Sequence, residues 1–78
     1  MTLAELALNE EAVVDHIDDS HFGKGLVLRL EAMGFVHNNP IKVIRKAVMN
    51  GPFKVRVGST TDVAIRVSEA SLVKVRRI

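Results

Sequence analysis

The sequence predicts a mainly β domain: a small five-stranded antiparallel barrel with one α-helix and short helical turns. Three observations carry this. Val- and Ile-rich segments with interleaved polar residues recur at 11–17, 40–48, 53–57, 63–67 and 73–76, the period of strands with one buried face. Only the stretch from Phe22 to Met33 spaces its apolar residues as a helix does. Asn50-Gly51 is the strongest short hairpin signal, because a type I′ turn needs positive φ at both central positions. In a chain of 78 residues, curling the sheet on itself removes most exposed strand edges.

Each element has a local cause. Thr2 with Glu5 three residues on forms a capping-box pattern, and Leu3 and Leu6 give one apolar side to a short turn ending near Asn9. Residues 11–17, EAVVDHI, read as the first strand; Asp18, Asp19 and Ser20 then break the pattern and are expected to cap the helix. Phe22, Leu26, Leu30 and Met33 fall in one stripe at about 100° per residue. Gly34 is the expected left-handed stop, with Phe35 folding back on the helix. Asn38 and Asn39 tolerate positive φ and turn the chain into the second strand, Pro40 to Val48. Phe53, Val55 and Val57 alternate with Lys54 and Arg56, and Val63, Ile65 and Val67 alternate with Ala64 and Arg66 across a GSTTD turn. Ser68 to Ser71 is read as one helical turn before a last strand at Val73.

Composition narrows the function. With no cysteine, thiolate metal sites, disulfides and cysteine nucleophiles are all removed. The N-terminal stretch carries acids without Lys or Arg, unlike a secretory signal, and no apolar run approaches the roughly 20 residues of a membrane span. A cytoplasmic location without direct membrane insertion is the expectation. Charge is uneven: six acids and no Lys or Arg lie in the first 20 residues, and most of the basic residues lie in the last 37.

The runs LRLEAMGF, IKVIRKA, NGPFKV, DVAIRV and EASLVKV, preceded by TLAEL, together resemble the ferrous iron transport protein A (FeoA) family over nearly the whole chain. The family's usual turn glycines near positions 9 and 38 are here Asn9 and Asn38, and its common proline before the second is His37. Asparagine reaches the same left-handed backbone, so the fold is expected to survive these changes. The resemblance implies one SH3-like barrel domain over 1–78. It further implies a non-enzymatic accessory or regulatory role in ferrous iron uptake, by docking on a membrane iron permease with a cytoplasmic GTPase domain. Because the same domain occurs fused behind the DNA-binding part of metal-dependent repressors, and this chain leaves no room for a helix-turn-helix, the free-standing version is expected.

Several residue groups invite sharper readings. His16 and His21 stand among Asp15, Asp18 and Asp19, a donor set suited to Fe²⁺, and a transition-metal chaperone is one alternative. The spacing fits neither an EF-hand loop nor a zinc motif, so the segment is read as a solvated strand end and no metal ligand or cofactor is assigned. A basic nucleic-acid-binding barrel is the other alternative, using Lys42, Arg45, Lys54, Arg56 and their neighbours. Single-strand binders pair charge with stacking aromatics; Tyr and Trp are absent and all three Phe sit at core positions, so no nucleic acid is expected.

One feature resists a core role. Leu28 points about 200° from Leu26, away from the helix stripe, with Ala32 beside it and Lys24, Arg29 and Glu31 around them. The candidate contact surface is therefore Lys24, Leu28, Arg29 and Ala32 on the helix, with Gly34 and His37 in the corner that follows, facing the permease or a second copy of the chain.

Overall fold

The computed structural model describes residues 1–19 and 23–78. The expected capping role of Ser20, the metal reading of His21 and the helix start at Phe22 lie outside the described residues. A 3-10 turn (Leu3–Glu5) leads into β1 (Glu11–Ile17), α1 (Lys24–Ala32), β2 (Pro40–Lys46), β3 (Phe53–Val57), β4 (Thr61–Ile65), a short α2 (Val67–Ala70) and β5 (Val73–Arg77). The strands form one antiparallel sheet in the order β4-β3-β2-β1-β5.

Two β-bulges bend this sheet. The β1–β5 register shifts between Val14 and His16, and the β2–β3 register shifts between Val43 and Arg45. Each leaves one residue, Asp15 or Ile44, out of the ladder and increases local twist, which curls a short sheet towards a barrel. The concave side holds Ala12, Val14, Ile41, Val43, Val55, Val57, Ile65, Val73 and Val75, all buried. Leu3 and Leu6 of the N-terminal turn and Leu30 and Phe35 of the helix and its exit complete the core. The capping-box expectation holds in its acidic arm: the Thr2 backbone N–H donates to Glu5 Oε1 at 2.8 Å.

Four local expectations need correction. The helix is capped by Gly23, not by Asp18 or Asp19; the Asp18 N–H donates to the Leu72 carbonyl at 2.7 Å, which keeps the chain alongside the approach to β5 past the end of β1. Val67 begins α2 instead of ending β4, and the Arg66 N–H is held by Glu69 Oε1 at 2.8 Å. β2 stops at Lys46, two residues short of the expected Val48. The hairpin's left-handed pair is Met49 (φ 57°) and Asn50 (φ 61°), one residue before the expected Asn50-Gly51. Gly51 is required for a different reason: a Cβ there would stand 2.7 Å from the Ala47 Cβ.

Candidate partner-binding surface

The helix stripe packs as its spacing dictates. Leu30 is fully buried, and Leu26 and Met33 are half-buried against the core. At its end the Phe35 N–H donates to the Leu30 carbonyl at 3.1 Å and the Gly34 N–H to the Glu31 carbonyl at 3.0 Å. This is the paired bonding of a Schellman stop, with Gly34 at φ +105°. A Cβ on Gly34 would approach Val57 Cγ1 to 2.6 Å, so the position needs glycine for both conformation and space.

The corner after Gly34 is tied to two strands, β1 and β5. Asn38 adopts φ 67°, and its N–H donates to the Val14 carbonyl at 2.7 Å. The Asn39 Nδ2 donates to the Gly34 carbonyl at 2.6 Å. Arg76 on β5 donates to the Asn38 side-chain oxygen, and its Nε lies 3.5 Å from Asp15 Oδ1. The Asp15 carbonyl, in the bulged segment of β1, accepts from His37 Nδ1 at 2.8 Å. Asp15 also holds His16 through its carboxylate, Oδ2 to Nδ1 at 3.0 Å.

On the outward side of α1, Leu28 is 65% exposed and Lys24 and Ala32 are exposed beside it. Arg29 is on the same helix, but its guanidinium pairs with the Glu69 carboxylate. Glu69 is 6% exposed and also accepts from the Arg66 N–H. That ion pair fastens α1 to α2 and sets the helix orientation. Of the six expected contact residues, Lys24, Leu28 and Ala32 lie open on the helix, Arg29 is engaged with Glu69, Gly34 shapes the corner, and His37 is exposed with Nδ1 bound to Asp15.

Between the end of β1 and this helix lies an open cleft of about 220 Å³, lined by Ile17, Val27, Glu31, Phe35, Val36 and His37. His16 and Asp15 stand on its rim. Among the described residues no group of three or more His, Asp or Glu side chains is placed to hold a metal ion. No helix among them is long and apolar enough to cross a membrane.

The curled antiparallel sheet, its bulges and the helix in the β1–β2 connection define the class: a small SH3-like β domain. The FeoA domain model matches residues 1–77, and the chain belongs to the FeoA family, which is linked to ferrous iron transport. That family is one of small accessory domains and not a known enzyme family. The chain is similar to FeoA of Stenotrophomonas maltophilia, solved with zinc and described as a prokaryotic SH3 domain protein proposed to activate ferrous iron transport. The two are 38% identical over 97% of this chain and 89% of that one, with a TM-score of 0.84. FeoA of Chlorobium tepidum is 26% identical, covering 100% of this chain and 70% of that one, with a TM-score of 0.86. A manganese-dependent transcriptional repressor shares the fold alone, at 14% identity, with a TM-score of 0.86 over 41% of its length. No curated protein sequence matches the chain.

Proposed function

We propose that this protein is a cytoplasmic accessory and regulatory module of ferrous iron uptake that docks on the membrane iron permease bearing a GTPase domain. Family membership across residues 1–77 supports the iron-uptake setting. The observation that carries the docking surface is Leu28, exposed at 65% on a helix whose opposite face is buried. Lys24 and Ala32 extend the contact along the helix, Arg29 acts by holding the helix to Glu69, and Gly34 and His37 present the corner beside it. The corner is held by hydrogen bonds to β1 and β5, so a partner meets an ordered edge, which lowers the entropy lost on binding.

The test is capture of the permease's cytoplasmic GTPase domain by the purified protein at moderate salt. Leu28→Glu should abolish capture while leaving the circular dichroism spectrum unchanged. Undiminished capture by the variant would move the contact elsewhere. Loss of self-association in the variant, with no permease bound by either form, would assign the face to a second copy of the chain.

A further inference from the structure

The β2–β3 hairpin lies at the opposite end of β2 from the helix exit, and it carries a second surface. At its apex Val48 is 84% and Met49 95% exposed. The left-handed turn holds these two apolar side chains at the tip of a convex projection, where the chain has no core to offer them.

The strands beneath the apex are basic. Arg45 and Lys54 are direct cross-strand partners, as are Lys42 and Arg56. Like charges facing one another across an antiparallel pair are destabilising. Asp62 offsets part of this, with its carboxylate 2.9 Å from Arg56 Nε and 3.8 Å from Lys54 Nζ. Arg45 has no acidic partner among the described residues, and Lys46 places its ammonium 5.2 Å from the centre of the Phe53 ring. Arg45 and Lys54 line an open cleft of about 420 Å³ together with Ala47, Pro52, Phe53, Val63 and the acid Asp62.

An apolar apex above a group of cations that outnumber the acids facing them is complementary to an anionic bilayer surface. There the cations meet headgroup phosphates and the tip enters the boundary with the acyl chains. We propose that the β2–β3 hairpin is a peripheral membrane-contact tip for anionic phospholipid, with Val48 and Met49 inserting and Arg45, Lys46 and Lys54 binding phosphate. The expectation of no membrane insertion rested on the lack of a spanning run; a two-residue tip needs none. Because the tip and the α1 face lie at opposite ends of β2, engagement of one leaves the other free.

The experiment is co-sedimentation of the full chain with phosphatidylcholine vesicles, with and without phosphatidylglycerol, at low and physiological salt. Retention should require phosphatidylglycerol and weaken as salt rises. Val48→Asp combined with Met49→Asp should lower the apparent affinity on the order of tenfold, the scale of two partly inserted apolar side chains. Arg45→Ala should lower it about fivefold. Both changes are at exposed positions, and unchanged circular dichroism would show that the fold is kept. No retention on phosphatidylglycerol vesicles at low salt would overturn the proposal. So would retention that ignores the tip substitutions while a single-stranded oligonucleotide binds equally well, since that is attraction to any polyanion.

Discussion

The two ends of β2 are both left-handed turns built on asparagine, yet they are held in different ways. At the start of the strand, Asn38 and Asn39 bond to Val14 and Gly34, the Gly58 N–H donates to the Pro40 carbonyl at 2.8 Å, and Arg76 arrives from β5. Except for Gly34, these partners are distant in sequence, so the corner forms only when the barrel does. At the end of the strand, the Gly51 N–H reaches the Val48 carbonyl at 3.2 Å and the Ala47 N–H reaches the Pro52 carbonyl at 3.2 Å. Both of those bonds are local. The corner belongs to the cooperative unit, whereas the hairpin tip can open without it. That difference matches their proposed uses: a rigid edge for a structured partner, and an apolar tip for a deformable surface.

The largest test of this contrast is Gly34→Ala. A Cβ at φ +105°, 2.6 Å from Val57 Cγ1, adds backbone strain to a clash inside the core. The expected loss is about 2–4 kcal/mol, summing a left-handed penalty with moderate overpacking. Urea denaturation should show the midpoint falling with the whole transition. A loss confined to the corner, with the global midpoint unmoved, would separate the corner from the cooperative unit.

Arg29→Ala comes next. It leaves the Glu69 carboxylate buried with only the Arg66 N–H to bond, and should cost about 1–3 kcal/mol. Glu69→Gln keeps the shape and an acceptor for Arg66, so it should cost less. If Arg29→Ala weakened permease capture without lowering the denaturation midpoint, Arg29 would be a contact residue in its own right and not a brace for the helix.

Why these two positions differ in legibility is a matter of range. Gly34 could be read from the sequence because a Schellman stop is local: a helical stripe, a glycine, then an apolar residue. The bounds of β1 and the alternation of β3 followed from periodicity in the same way. The exposure of Leu28 also followed from helix geometry alone. The Arg29–Glu69 pair, 40 positions apart in sequence, could not be read, since no local pattern brings α1 and α2 together. The bulge at Asp15 was equally hidden, and with it the carbonyl that fixes His37, because only His16 and Ile17 follow it in β1, too few to show the shifted alternation. At the hairpin the turn residues were recognised but shifted by one. The Asn-Gly preference favoured Asn50-Gly51, whereas the close approach of Ala47 reserves Gly51 for space and moves the left-handed pair to Met49 and Asn50.

That shift supplies a prediction of opposite sign at the other end of the strand. Met49 holds φ 57° with its side chain 95% exposed, so it carries the left-handed penalty with no packing in return. Met49→Gly removes that penalty and adds unfolded-chain entropy, and the balance should be a gain of about 0.5–1 kcal/mol. The same thermal or urea measurement applies. Glycine is thus expected to stabilise the tip while alanine in place of glycine damages the corner. A destabilised Met49→Gly would mean that the methionine packs on the protein and is not held out for a partner.

The smallest expected effect is in acid, and it rests on groups outside both turns, at the N-terminal turn and on the β3–β4 face. The Arg56 guanidinium, donating to both oxygens of Asp62, holds that carboxyl below its ordinary value of 3.8. The Thr2 backbone N–H lowers Glu5, and the Ala7 backbone N–H, followed by Arg77, lowers Glu10, each from 4.5. Since the folded values lie below the unfolded ones, the folded state binds fewer protons between them. Their stabilisation is therefore complete above the ordinary carboxylate range and is lost as pH falls through the folded values. Thermal midpoints should hold from neutral pH down to about 5 and then decline, the more gently in high salt because these groups are exposed and screened. Asp62→Asn should remove only the share of that decline belonging to the β3–β4 face, leaving the part set by Glu5 and Glu10 around the N-terminal turn and β5. An acid limb wholly abolished by Asp62→Asn would place all the charge-linked stability on the β3–β4 face, where Arg56 lies across from Lys42 near the start of β2, and would leave Glu5 and Glu10 with no share in it.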